Sequence, residues 1–406
     1  MSNFVFDPTT SEFRTNPYPI YAKLREQKRV FAYNQQIPYI VSHWDDCEAL
    51  LKDARFGRAI MDDMTPDERD AYMQRWPEGV RPLVEVQADW LLFKDPPNHT
   101  RLRGLVSKAF TPRIIENIRP RIMTIANDLL DNAQSNKTVD IIKDFAVPLP
   151  VIVIAEMLGV PPDDRKTFIH WSREMFAIND IVNLTMAEFE RAGHACVLMS
   201  DYFENLIDSK RKNPADDLLS SLIAVEETGD KLSHNELIAT SILLLTAGYE
   251  TTLNLIGNGV LALLQHPKQL ELLKSQPELM KNAVEELLRY NGPVHITSRK
   301  ARQDLTLHGT EIKDGETIAI FLASANHDPT RFTNPDTLDI TRNEGSSLSF
   351  GHGIHYCLGA PLARMEMAIA LDVLFQRMPN LQLLDDTPDW SAKVAFRGLS
   401  TLNVRF

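Results

Sequence analysis

The chain has 406 residues, 44% of them apolar and 24% charged, and a formal net charge of -12. These proportions are those of an average globular protein and exclude fibrous and disordered classes, while the acidic balance argues against nucleic acid or an anionic membrane surface as a general partner. Cys47, Cys196 and Cys357 are too few and too far apart for a disulfide framework, and no stretch reaches the ~20 apolar residues of a membrane span.

Residues Met1 to Thr10 carry no apolar run of a signal peptide, so a cytoplasmic location is expected. Length alone allows two or three domains, but no break in composition marks a boundary. Strands are expected in Val30 to Ser42 and in Leu305 to Phe321, where Gly309 and Gly315 supply turns. The segment from Gly57 to Asp95 has three prolines, three methionines and poor periodicity, which marks it as a functional or mobile loop.

Apolar residues then recur at three- and four-residue spacing in Ile114 to Ala133, Pro150 to Leu158, His194 to Ile207 and Glu278 to Tyr290. The fold class is mainly α with a minor β region. The longest helix starts after the capping box Ser233-x-x-Glu236 and ends before His266-Pro267, roughly 32 residues or ~48 Å. Its middle, Ile242 to Ala247, is apolar all round and is expected to be buried. Gly248-Tyr249-Glu250-Thr251-Thr252 follows, and a glycine and a carboxylate inside a buried helix point to function.

The run Phe350-Gly351-His352-Gly353-Ile354-His355-Tyr356-Cys357-Leu358-Gly359 sets one cysteine before a helical pattern from Pro361 to Leu374. A helix N-terminus favours an ionised thiol, the form that binds metal. Most cysteines are small buried hydrophobes, and that reading suffices for Cys47 and Cys196. Around Cys357 the glycines at 351, 353 and 359 leave room for a planar group. Zinc would need closer ligands than His352 and His355 supply, and a dinucleotide loop would need glycine where Ile354 or Cys357 stands.

This run resembles the haem-binding signature of the cytochrome P-450 superfamily, F-x-x-G-x-[H/R]-x-C-x-G, matched by Phe350, Gly353, His355, Cys357 and Gly359. Further family elements follow along nearly the whole chain. Glu286-Leu287-Leu288-Arg289 looks like the family's E-x-x-R, and Phe332 to Arg342 resembles the stretch whose arginine meets that pair. In isolation Glu286 and Arg289 would be a solvated ion pair of small worth. Asp95 to Arg103 resembles the helix start whose histidine and arginine, His99 and Arg103 here, hold the haem propionates, and at i and i+4 the two share a face. Arg299 and His355 are implied as further propionate donors. Ala247 to Thr251 is similar to the oxygen-activating turn, in which Gly248 lets the helix open, Thr251 donates toward dioxygen and Glu250 relays protons. The chain departs from the family at His327, where arginine is usual; a group titrating near neutrality there opens haem retention to pH.

The resemblance implies one cytochrome P-450 catalytic domain over 1–406, with heme b (iron protoporphyrin IX) between the long central helix and the cysteine loop and Cys357 as the metal ligand. A thiolate axial ligand favours O–O cleavage. The implied reaction inserts one atom of dioxygen into a small hydrophobic substrate, by hydroxylation or epoxidation, while two electrons and two protons carry the other atom to water. The chain has no flavin, nicotinamide or iron–sulfur motif, so a ferredoxin or flavodoxin with an NAD(P)H-dependent reductase is implied. Arg101, Arg103, Lys108 and Arg113 are either its docking patch or scattered surface charge.

Pocket walls are implied in Gly57 to Phe93, Phe168 to Phe189, Leu244 to Thr251, Val294 to Thr297 and Leu399 to Thr401. Met61, Met64 and Trp76 serve there as adaptable walls or else in the core or at the surface, and His295 would meet a polar substrate group. The layout resembles bacterial members that oxidise macrolides and other polyketides; fatty acids, terpenes and steroids stay open. A peroxide-driven or coupling haem-thiolate enzyme and a non-catalytic haem sensor are the alternatives, and Glu250 with Thr251 argues against both.

Overall fold

The computed structural model describes residues 4–133, 138–177, 185–227, 231–385 and 387–406. The chain forms two compact units, one from Met1–Gly57, Met123–Pro148 and Thr251–Phe406, the other from Arg58–Ile122 and Leu149–Glu250.

The first unit carries the larger sheet, built from β1 (Phe31–Ala32), β2 (Tyr39–Val41), β3 (Phe56–Gly57), β4 (Ile296–Ala301) and β5 (Thr317–Phe321) in the order β1-β2-β5-β4-β3. β2 runs parallel to β5, while β4 pairs antiparallel with β5 in the register Ile296 to Phe321. The β-branched residues Ile318 and Ile320 pack beneath helix α1 (Trp44–Lys52) with Val41, Trp44, Cys47 and Leu51. Gly309 and Gly315 turn the chain at φ +78° and +82°, as their positions between strands predict.

The second unit holds α2 (Asn98–Ala109), α3 (Pro148–Met157), α4 (Arg165–Ala177) and α5 (Met186–Lys212). The stretch read as a loop from Gly57 to Asp95 contains two helices, Pro66–Gln74 and Arg81–Ala88. Thr65 and Glu68 close a capping box with Pro66 in the first turn, a start signal hidden by the polar sequence that follows it. Met61, Met73, Val80, Val84 and Ala88 form a small core there, flanked by half-buried Met64 and Trp76.

Helix α6 (His234–Gln265) has the length and bounds expected of it, and the division between the units falls within it after Glu250. Ser233 and Glu236 exchange the two bonds of the capping box. Two more helices complete the frame, α7 (Met280–Asn291) and α8 (Ala360–Arg377), both in the first unit. Among the described residues no helix is long and apolar enough to cross a membrane.

Candidate functional site

The Cys357 turn is built from backbone hydrogen bonds. The Gly351 N–H donates to Leu348, the Tyr356 N–H to Gly353 and the Cys357 N–H to the Phe350 carbonyl at 3.0 Å. Gly351 and Gly353 stand at φ +69° and +70°, a region that disfavours any side chain. A Cβ on Gly353 would also come within 2.5 Å of the Leu51 carbonyl oxygen of α1, so that glycine serves close packing on α1 and not clearance for a planar group. Gly351 and Gly359 do have open space, with nothing nearer a built Cβ than 3.9 and 4.0 Å. Cys357 precedes α8 by three residues, and the Ala360 N–H turns back to its carbonyl.

The three cysteines form no disulfide, and Cys357 is exposed while Cys47 and Cys196 are buried. Burial raises the Cys47 thiol well above its ordinary value and pushes Cys196 up to about 12, so both stay protonated and inert. Among the described residues no three His, Cys, Asp or Glu side chains gather as metal ligands. An exposed thiol before a helix N-terminus, in a turn with open space at Gly351 and Gly359, fits the single protein ligand that a haem iron would take.

Glu286, Arg289 and Arg342 meet as the resemblance implies. Arg289 donates to both oxygens of Glu286 at 2.7 and 2.8 Å and to the carbonyls of Asn326, Pro335 and Thr337. Arg342 joins through Nε at 3.2 Å, and the Asp339 N–H donates to the same carboxylate at 2.9 Å. His327 is buried, with Nε2 donating to the Tyr290 carbonyl, Nδ1 facing Asp336 at 2.8 Å and its ring stacked on Tyr18. Burial lowers its pKa against the pull of Asp336.

Of the residues implied as propionate donors, Arg299 is buried on β4 and His355 is half-buried at the end of the Cys357 turn. In the second unit His99 is buried and Arg103 half-buried, one turn apart on α2. The Arg101 guanidinium pairs with Glu236 and donates to the Lys231 carbonyl, while Lys108 and Arg113 are exposed.

Helix α6 is not buried throughout its middle. Leu243, Leu244, Gly248, Glu250 and Thr251 are half-buried and Ala247 is exposed, a stripe that runs on at helical spacing while Ile242, Leu245, Thr246, Tyr249 and Thr252 are buried. Apolarity all round predicts burial, but it also suits a helix that shows one apolar face to a ligand. The helix stays α-helical through Gly248, where a Cβ would stand in ordinary contact with Ile154 of α3 at 3.4 Å, so the glycine opens no break in the helix.

His295 is buried, with one ring nitrogen on a tyrosine and Nε2 without a hydrogen-bond partner. Its Nδ1 meets the Tyr21 hydroxyl at 3.0 Å, its ring packs on Tyr18 and Tyr21, and burial with nearby Arg397 holds its pKa well below the ordinary value. Residues 178–184, part of the implied pocket wall, lie outside the described residues. Sequence reading missed Arg364, whose partners are 79 and eight residues away, and Glu366, buried on α8 without a charged partner to announce it.

The family model for cytochrome P-450 matches residues 81–384. The polyketide-biosynthesis cytochrome P-450 PksS of Bacillus subtilis (strain 168) is 42% identical over 100% of this chain and 99% of its own. The cytochrome P-450 monooxygenase PikC of Streptomyces venezuelae is 40% identical over 97% of this chain and 92% of its own. Among solved structures, P-450 BioI in complex with an acyl carrier protein bearing hexadec-9Z-enoic acid superposes with a TM-score of 0.89 at 39% identity, covering 98% of this chain and 100% of that one. The chain belongs to the bacterial cytochrome P-450 monooxygenases, enzymes that use haem.

Proposed function

We propose that residues 1–406 act as one cytoplasmic catalytic domain that inserts an oxygen atom from dioxygen into a small hydrophobic substrate, by hydroxylation or epoxidation, in the tailoring of a polyketide or macrolide. The observation that carries this reading is the accessible stripe of α6, where Leu243, Leu244 and Ala247 offer apolar surface next to Glu250 and Thr251. An apolar ligand lying on that stripe meets a hydroxyl and a carboxylate at its end. The substrate class is supported by likeness to PksS, a polyketide-biosynthesis enzyme that this chain matches over its full length.

The haem, when bound, supplies dioxygen activation. Cys357 would hold it through its thiolate, and His99, Arg103, Arg299 and His355 would supply the donors for its propionates. Phe350, Gly353 and Gly359 shape the turn that carries the sulfur. Thr251 holds a donor hydroxyl at the end of the apolar stripe, and Glu250 passes protons to it from solvent. A separate ferredoxin or flavodoxin with its NAD(P)H-dependent reductase delivers the two electrons.

A second reading, an acyl chain tethered to a carrier protein, is favoured by the likeness to the BioI complex. One titration separates the two. Macrolactones, free fatty acids and acyl carrier protein loaded with a long acyl chain are added in turn to the ferric enzyme, and displacement of water from the iron is followed in its spectrum. Products are then identified under isotopically labelled dioxygen. Tightest binding and labelled product with a macrolactone support the first reading; the same with the loaded carrier protein only replaces it with the second.

A further inference from the structure

Arg364, on the second turn of α8, lies outside the haem signature, yet it touches both sides of the Cys357 turn. Its Nε and Nη2 donate to the two carboxylate oxygens of Glu285 at 2.5 and 3.1 Å, and Nη1 donates to the Tyr356 hydroxyl at 3.1 Å. The same guanidinium lies over the Phe350 ring, 4.5 Å from its centroid. Phe350 and Tyr356 bracket residues 351–355, and the Cys357 N–H bonds to the Phe350 carbonyl at 3.0 Å. One planar cation therefore holds the residue before the cysteine and the residue whose carbonyl the cysteine uses.

Glu285 and Glu286 are neighbours on α7, and successive helical residues point about 100° apart. Glu286 turns to Arg289 and Arg342, whereas Glu285 turns to Arg364. A single turn of α7 thus anchors both the charged triad and the cysteine turn.

We infer that Arg364 is a positioning residue that holds the Cys357 turn, and with it the axial sulfur, against α7 through Glu285, Tyr356 and Phe350. The inference rests on Cys357 being the axial ligand. Guanidinium suits the task because its edge matches a carboxylate in two bonds while its face stacks on an aromatic ring. The turn's own backbone hydrogen bonds fix its shape but do not tie it to α7, so side-chain anchors set where its ligand sits. With side chains 30% and 32% exposed, the Arg364–Glu285 pair adds little to global stability, which separates a positioning role from a folding one.

The test uses haem-loaded wild type, Arg364→Ala, Tyr356→Phe, their double variant and Cys357→Ser. The strongly red-shifted Soret band of the reduced, carbon monoxide-bound protein is followed over time at fixed temperature, beside thermal unfolding and the haem reduction potential. Arg364→Ala is expected to lose that band about tenfold faster than wild type, the scale typical of removing a metal ligand's supporting partner. Its potential should shift while its melting temperature stays within a few degrees. Tyr356→Phe should show a smaller loss, and the double variant no more than Arg364→Ala alone, because both changes break one linkage. Loss at the wild-type rate, loss only in step with unfolding, or additive effects in the double variant would overturn the inference. Absence of the band in wild type, or its survival in Cys357→Ser, would instead overturn the axial assignment beneath it.

Discussion

Glu286 and Arg342 stand 56 residues apart in the sequence and meet at 3.2 Å, with Arg289 closing the group from the other side. A lone E-x-x-R pair on a helix surface is worth a few tenths of a kcal/mol. This one is 2–3% exposed, and Arg289 also satisfies three carbonyls of the chain that follows β5.

Removing one partner of a buried ion pair costs about 3–5 kcal/mol, because the other charge is left without compensation. Arg289→Ala is therefore expected to lower stability by at least that much, measured by denaturant midpoint. A midpoint within error of wild type would remove the structural role.

Glu366 yields a pH dependence of the opposite sense to most carboxylates. Burial pushes its pKa up to about 8 from 4.5, so the folded protein holds a proton that the unfolded chain releases in between. Stability from this group is present below pH 4.5 and is lost as pH rises through 8. Glu366→Gln keeps the neutral shape, so it should match wild type at low pH and exceed it by about 3–5 kcal/mol above pH 8, at ~1.4 kcal/mol per unit. Parallel stability curves for the two proteins would contradict this.

His295 acts at the acid end. Its folded pKa lies well below 6.5, so below that pH the unfolded chain binds the proton more readily and stability falls with acidification; above it the group contributes no slope. His295→Gln, which retains a partner for Tyr21, should remove up to ~1.4 kcal/mol per pH unit of that slope under pH 6.5. Chemical denaturation at stepped pH reads it directly, and an unchanged slope would place the acid sensitivity elsewhere.

On the proposed function, Thr251→Ala uncouples electron use from product, so NAD(P)H consumption continues while product per NAD(P)H drops. Glu250→Gln slows turnover about 10²-fold, the usual scale for losing a proton-transfer group. Unchanged coupling in Thr251→Ala would count against its assigned hydroxyl role.

The parts of this protein legible in the sequence were those with local grammar. Ser233 and Glu236 announce the start of α6, His266-Pro267 announces its end, and the haem signature lies within ten residues. The meeting of Arg342 with Glu286 was legible only through family likeness. Long-range contacts explain the rest. Nothing near Arg364 in the sequence points to Glu285, the Tyr21 hydroxyl reaches His295 from 274 residues away, and the helix at Pro66 is masked by polar residues. The apolar middle of α6 misled for a different reason, since hydrophobicity marks a surface that avoids water without saying whether protein or ligand covers it.

The most direct test of the account is the difference spectrum of the reduced, carbon monoxide-bound protein recorded beside Cys357→Ser. The account predicts a strongly red-shifted Soret band in wild type and its absence in the variant. A folded wild type without haem, or with the ordinary band of a histidine-bound haem, would contradict the assignment of Cys357 as the axial thiolate.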